Sequence, residues 1–193
     1  MEIKEILVVI DAEYDFINGT LAVAGATEKM DALTEYIRMH GGKYVAIIFT
    51  KDWHPLTHCS FKENGGQWPA HCVEGTHGAE LYEPLLSAAT KLERNNVYIL
   101  TKGTNEDKEE YSIFKNEKSK EILEGIIKST GAEKITVCGI ALDYCVKDTI
   151  ADAIKLGYAP KLQLLKEFSP SIGDPEPVYS FLEDENIKII EAE

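Results

Sequence analysis

The sequence contains no apolar run that approaches the roughly 20 residues needed by a membrane-spanning helix. Basic residues are also scarce, because 20 Lys and Arg stand against 33 Asp and Glu and leave a formal net charge of −13. A chain this acidic repels phosphate backbones and anionic lipid, since both bind proteins by exchanging counterions for Lys and Arg. We therefore expect no membrane partner and no nucleic-acid partner.

Cysteine is scarce too, and none of the four residues forms the C-x-x-C spacing of a zinc ribbon or a thioredoxin-like site. The first apolar stretch, residues 6–10, is too short for a signal peptide and lacks a small-residue cleavage site. These features predict a cytoplasmic protein whose cysteines are free thiols. Because most free cysteines are buried and inert, a reactive one must be recognised by its surroundings.

Glycine-rich phosphate loops are missing, since neither G-x-G-x-x-G nor G-x-x-x-x-G-K-[ST] occurs. What the sequence does contain is an alternation of short β-branched runs with helical patterns. Strands are expected at residues 6–10, 44–49, 97–100 and 135–138, with weaker ones at 161–165 and 187–190. Helices are expected at residues 27–40, 80–92, 117–130, 144–156 and 176–184. Gly41, Gly131 and Gly157 follow three of these helices at positions typical of left-handed C-caps.

This order predicts a three-layer α/β/α fold with a central, mostly parallel sheet of about six strands, formed by one domain over residues 1–193. In open parallel sheets the ligand crevice lies outside the carboxyl ends of the strands. Asp11 and Lys102 each follow such a strand end. An acidic residue there is poorly placed for core packing and well placed for the crevice, although strand-end capping is the alternative. Carboxylates near Lys102 would keep its ammonium charged.

Donors suited to a metal ion cluster after the second strand. An extended chain projects Asp52 and His54 to the same side, and His58 and His71 follow in the same long connection. Carboxylate oxygen and imidazole nitrogen suit zinc, iron or manganese. A polar surface loop is the alternative interpretation.

The fourth strand leads into Cys145, which opens a predicted helix. The positive end of a helix dipole lowers the pKa of a cysteine and favours thiolate, and the free backbone N–H groups there can hold an oxyanion. The alternative is a small apolar residue that packs the helix onto the sheet, a role that Cys138 fits better.

Five segments contain these residues, namely VIDAEYDF at 9–16, TKDWHP at 50–55, WPAHCVEGT at 68–76, KGT at 102–104 and CGIALDYCV at 138–146. Together they closely resemble nicotinamidases of the isochorismatase-like hydrolase superfamily, over about residues 5–158. The resemblance implies a catalytic triad of Asp11, Lys102 and Cys145. It implies that the oxyanion hole is formed by the amides of Ala141 and Cys145, with a cis peptide just before Ala141. It implies that the metal ligands are Asp52, His54 and His71. It also implies that the substrate pocket is lined by Phe16, Trp68, Tyr111 and Tyr144.

The chain departs from the family pattern at a few positions. Glu13 and Tyr14 replace a common Gln-Asn pair, His77 stands where proline is usual, and residues 166–193 show only weak likeness. Members of the family differ in the fourth metal position, for which His58 and then Glu63 are the candidates here.

The resemblance implies hydrolysis of nicotinamide to nicotinate and ammonia through a cysteine thioester, in NAD salvage. It implies one divalent transition metal ion, zinc before iron or manganese, that binds the ring nitrogen. The expected partner is this small-molecule substrate, and the sequence leaves open whether the chain forms a homo-oligomer. One alternative is a related cysteine amidohydrolase acting on a carbamoyl or ureido substrate. Another is a metal-binding or thiol redox protein, which the lack of a C-x-x-C pair disfavours.

Overall fold

The computed structural model describes residues 3–93 and 96–192, and its centre is one six-stranded sheet. The strands are Glu5–Ile10 (β1), Tyr44–Asp52 (β2), Asn96–Lys102 (β3), Lys134–Gly139 (β4), Leu162–Leu165 (β5) and Lys188–Ile190 (β6). Their order is β3-β2-β1-β4-β5-β6, and every neighbouring pair is parallel. All six predicted strands are confirmed, with β2 and β3 longer than expected.

In the part of the chain that the structure describes, six α-helices connect or flank the strands. They are Tyr14–Ile17 (α1), Ala26–His40 (α2), Glu83–Thr90 (α3), Glu117–Thr130 (α4), Lys147–Lys155 (α5) and Glu176–Asp184 (α6). A π-helix, Leu142–Val146, runs directly into α5, so the helix predicted at 144–156 starts earlier and is wider at its beginning. The helix predicted at 80–92 is shorter, because Pro84 occupies its first turn and fixes the start at Glu83.

The three layers follow from the alternation of side chains along the central strands. Leu7 and Val9 of β1 are buried in the core that also contains residues of α2 and α3. Ile6, Val8 and Ile10 are buried in the core formed with α4, α5 and α6. A strand that is apolar on both faces requires helices on both sides, and this confirms the predicted α/β/α arrangement.

Two of the three predicted glycine caps are confirmed. Gly131 and Gly157 have φ angles of +67° and +86°, in the left-handed region. Gly41 is an exception with φ of −58°, because the chain continues from α2 into a short 3₁₀ turn. A Cβ at Gly41 would lie 2.5 Å from Leu92 Cδ1, so a larger residue there would displace the Leu92 side chain.

The order of the strands determines where the ligand crevice lies. The chain moves from β1 outward to β2 and β3, and then returns to the other side of β1 with β4. The direction of winding therefore reverses between β1 and β4, and ligands of open α/β sheets bind outside the carboxyl ends of strands at such a point. Among the described residues, no helix is both long and apolar enough to cross a bilayer.

Candidate active site

Three strand ends bring the predicted triad together in the interior. Asp11 follows β1, Lys102 ends β3, and Cys145 lies in the π-helix that follows β4. Lys102 Nζ lies 2.8 Å from Asp11 Oδ2 and 3.5 Å from Cys145 Sγ. The hydroxyl of Thr50 donates to Asp11 Oδ1 at 2.7 Å and fixes the carboxylate. An ammonium, a carboxylate and a thiol within reach of one another can move a proton and create a nucleophile.

The same three groups lie out of water. Asp11 and Cys145 are buried, and Lys102 is only 1% exposed. Burial disfavours the charge on Lys102, but Asp11 and Asp52 overcome that effect and raise the pKa of the ammonium well above its usual range. The lysine therefore stays charged, as the sequence predicts.

The pKa of the cysteine shifts in the direction opposite to the one that the helix dipole alone predicts. Burial raises the pKa of the Cys145 thiol well above its usual range, and the Lys102 ammonium opposes part of that rise. Burial also raises the pKa of Asp11, and a carboxylate with a raised pKa is a stronger base toward a neighbouring thiol.

Asp52, His54 and His71 form a second cluster beside the triad. Their donor atoms all lie within 4.8 Å of one another, and all three residues are buried. His54 Nδ1 lies 2.8 Å from the carbonyl oxygen of Gly103, and His71 Nδ1 lies 2.8 Å from that of Pro69. A ring that donates Nδ1–H to a carbonyl keeps its Nε2 lone pair for a metal ion. The donor set therefore fits a divalent transition metal, as predicted.

The turn after Lys102 requires a glycine at position 103. Its φ is +66°, and a Cβ there would lie 2.3 Å from His54 Cε1. The buried carboxylate of Glu110 accepts the Gly103 N–H at 2.9 Å and holds this turn against His54. A larger side chain at position 103 would push the imidazole out of the cluster.

The structure does not bring either candidate for the fourth ligand into this cluster. His58 packs on His54 with ring centroids 4.0 Å apart, but its two ring nitrogens lie 2.7 Å from Ser60 Oγ and 3.2 Å from Lys108 O. Glu63 is exposed. Glu109, which the sequence analysis missed, lines the cleft beside Asp52, and burial raises the pKa of its carboxyl.

A small cleft opens beside both clusters, and its lining includes Asp52, His71 and Cys145. The predicted aromatic residues all line it, namely Phe16, Trp68, Tyr111 and Tyr144. Trp68 Nε1 donates to the Tyr111 hydroxyl at 2.9 Å, which fixes both rings.

The reacting end of the cleft also contains Ala141 and Cys145, the residues expected to form the oxyanion hole. The peptide bond between Ile140 and Ala141 is cis, as the resemblance implies. Two further wall residues, Leu21 and Ile172, were missed. Neither belongs to a motif, and only the tertiary fold brings them here.

Replacing His54 or His71 by Ala is expected to abolish metal binding, because two protein donors hold a divalent ion too weakly. Elemental analysis of the native protein should find about one transition metal ion per chain, the occupancy expected of a single three-donor site. The matched control is His77→Ala, which removes an exposed imidazole outside the cluster. Retention of the metal by both cluster variants would contradict this assignment.

Comparison with known proteins places the chain among amide hydrolases. Residues 5–162 match the Isochorismatase domain family. A nicotinamidase from Acinetobacter baylyi is 35% identical over 170 residues, which cover 78% of this chain and 75% of that protein. The zinc complex of pyrazinamidase from Pyrococcus horikoshii has a TM-score of 0.81 and 35% identity, covering 97% of this chain and 99% of the other. The nicotinate complex of PnC1 from L. infantum has a TM-score of 0.83 and 29% identity, covering 99% and 94%.

Proposed function

The chain belongs to the isochorismatase family, and on that premise we propose that it hydrolyses nicotinamide to nicotinate and ammonia. The observation that carries this proposal is the 3.5 Å approach of Lys102 Nζ to Cys145 Sγ in a cleft that Asp52 and His71 also line. A nucleophile and metal donors beside one small cleft match a small ring with an amide and a basic nitrogen. Similarity to nicotinamidases and pyrazinamidases supports the same substrate.

The first half of the reaction forms the thioester. Asp11, whose carboxylate lies within 4.8 Å of Cys145 Sγ, takes the thiol proton. The sulfur then attacks the carboxamide carbon and gives a tetrahedral oxyanion, to which the backbone amides of Ala141 and Cys145 donate hydrogen bonds. When the C–N bond breaks, Asp11 returns its proton to the leaving nitrogen, and ammonia departs.

The second half returns the enzyme to its starting state. Asp11 takes a proton from water, and the resulting hydroxide attacks the thioester carbon. As the C–S bond breaks, the proton on Asp11 returns to the sulfur and nicotinic acid leaves, which ionises to nicotinate by releasing a proton to water. Lys102 keeps its charge through both halves, and it stabilises the anionic forms of Asp11 and Cys145 in turn.

Asp52, His54 and His71 would hold the metal ion, for which zinc is our first expectation because nitrogen and carboxylate donors suit it. A bound divalent ion supplies a Lewis-acid contact for the pyridine nitrogen and so orients the ring. Glu109 lines the same end of the cleft and is the better placed candidate for a further donor than His58 or Glu63. Phe16 and Trp68 would then pack against the faces of the ring.

Lys102→Met is expected to shift the acid limb of the pH profile of kcat/KM to higher pH. The ammonium lowers the pKa of Asp11 and of Cys145. Without it the Asp11 carboxyl holds its proton to higher pH, so the base is lost at pH values where the wild type is active. Turnover should also fall by about 10²-fold or more. Lys155→Met, at an exposed site, is the matched control, and an acid limb that stays in place would contradict this role.

The alternative is a cysteine amidohydrolase acting on a carbamoyl or ureido substrate, which would use the same triad without the metal end of the cleft. Ammonia release from nicotinamide, pyrazinamide, benzamide and carbamoyl amino acids separates the two. Hydrolysis of the pyridine and pyrazine amides supports our proposal, and hydrolysis confined to the carbamoyl compounds contradicts it.

The product also suggests a setting for this chain. Nicotinate is a precursor of the pyridine nucleotides, so we place the reaction in NAD salvage. The four cysteines are free thiols, which supports a reducing, cytoplasmic compartment. We further propose that residues 1–193 act as one domain, since the six strands share one sheet.

A further inference from the structure

One wall of the cleft comes from a part of the chain outside the motifs. Residues 170–173, here called the strap, pass beside the π-helix that carries Cys145. Leu142 N donates to Pro170 O at 2.8 Å. Asp143 Oδ1 accepts the Ile172 N–H at 3.0 Å, and Asp143 Oδ2 accepts the Gly173 N–H at 2.8 Å. Three hydrogen bonds therefore attach the strap to the residues just before the nucleophile.

The strap contributes one side chain to the cleft, Ile172. Although it lines the cleft, it is 45% exposed, whereas His71 and Cys145 are buried. A residue that contacts the cavity and also faces water lies at the mouth. Because the Ile172 side chain is only partly buried, its burial contributes little to the stability of the fold. The side chain would lose its remaining contact with water when a ligand fills the cleft.

We propose that Ile172 is a specificity-determining residue that limits substituents on carbon 5 of the pyridine ring. This inference rests on the proposed function, in which the ring nitrogen points to Asp52 and His71 and the carboxamide points to Cys145. Carbon 5 is meta to the ring nitrogen and to the ring carbon that carries the carboxamide, so this edge of the ring faces away from the metal donors and from Cys145. It therefore lies at the mouth of the cleft, beside Ile172.

Asp143 is the positioning residue for this wall. Its two carboxylate oxygens accept adjacent backbone N–H groups, a pairing that sets both the distance and the orientation of the strap. Gly173 supports the arrangement, because a Cβ there would lie 3.3 Å from Asp143 Oδ2 and crowd the bond. Loss of these bonds would free Ile172 to move away from the ring.

The test compares kcat/KM for 5-methylnicotinamide with that for nicotinamide in the same enzyme. The wild type should disfavour the methyl compound by about 10-fold, the lower end of the range of about 10–200-fold that one methyl group is worth in an apolar pocket, because Ile172 is partly exposed. Ile172→Ala should raise the ratio by about 10-fold, and Ile172→Val should give an intermediate value. The control is Ile122→Ala, which truncates an isoleucine that is 40% exposed on α4, away from the cleft, and should leave the ratio unchanged.

Asp143 variants test the positioning role. Asp143→Ala removes both acceptors and should raise the same ratio toward that of Ile172→Ala. Asp143→Asn keeps one acceptor oxygen but sets its NH2 donor against the other backbone N–H, so its ratio should lie between those of the wild type and Asp143→Ala, a grading that a general loss of stability would not give. An equal ratio in the wild type and Ile172→Ala, with nicotinamide still hydrolysed, would overturn this inference alone. No ammonia from nicotinamide with the wild type would instead overturn the proposed function, and the inference with it.

Discussion

Cys145→Ala is expected to lower ammonia release from nicotinamide by about 10⁴-fold or more, since the loss of a covalent nucleophile has effects of this size in triad enzymes. Without the sulfur no thioester forms, and Asp11 has no thiol to deprotonate. Binding should survive, because the aromatic walls and the Asp52, His54 and His71 cluster are unchanged. Ammonia release in single-turnover assays measures the first effect, and quenching of tryptophan fluorescence by nicotinate measures the second.

The matched control is Cys59→Ala, since Cys59 is a free, partly exposed thiol outside the cleft lining. That variant should keep wild-type turnover. Mass spectrometry of quenched reactions adds a direct readout, because wild-type protein should carry a nicotinoyl group on Cys145 and the alanine variant should not. Turnover by Cys145→Ala within tenfold of the wild type would show that another group attacks the amide.

The fold was predictable from the sequence because the central strands are apolar on both faces. Residues 6–10 and 135–138 can only be covered by helices on both sides, and the helical patterns between the strands supply them. Part of the site followed from the same reasoning, since Asp11, Lys102 and Cys145 lie at or beyond the carboxyl ends of strands, which meet at one edge. The residues alone indicated a metal site after the second strand, and the family resemblance selected Asp52, His54 and His71.

What the sequence could not reveal depends on tertiary packing. The raised pKa of Cys145 arises from burial of the thiol, which only the tertiary fold produces. No periodicity in the sequence marks the π-helix at 142–146. Leu21, Glu109 and Ile172 reach the cleft from segments without motifs. For Glu109 the one available signal was its place in the long connection after Lys102.

Benzamide is expected to be hydrolysed about 10⁴-fold less efficiently than nicotinamide, as judged by kcat/KM, because a site built to engage one polar atom rejects an analogue that lacks it by about this factor. Pyrazinamide, which presents a nitrogen meta to the carboxamide, should be hydrolysed. The donor set of Asp52, His54 and His71 is the structural basis of this expectation, since it faces the cleft from the end opposite the nucleophile.

The competing account assigns selection to Phe16, Trp68 and Tyr111, which would favour any flat aromatic amide by packing. Benzamide is equally flat and less costly to remove from water, so it should then react as well as nicotinamide. The magnitudes separate the accounts, because an aromatic pair adds only about 0.5–1.5 kcal/mol beyond its buried area, roughly tenfold in affinity. Ammonia assays on the three amides, run with metal-loaded protein, decide between them. Comparable kcat/KM values for benzamide and nicotinamide would remove the metal cluster from substrate recognition and leave an aromatic amidase with the same triad.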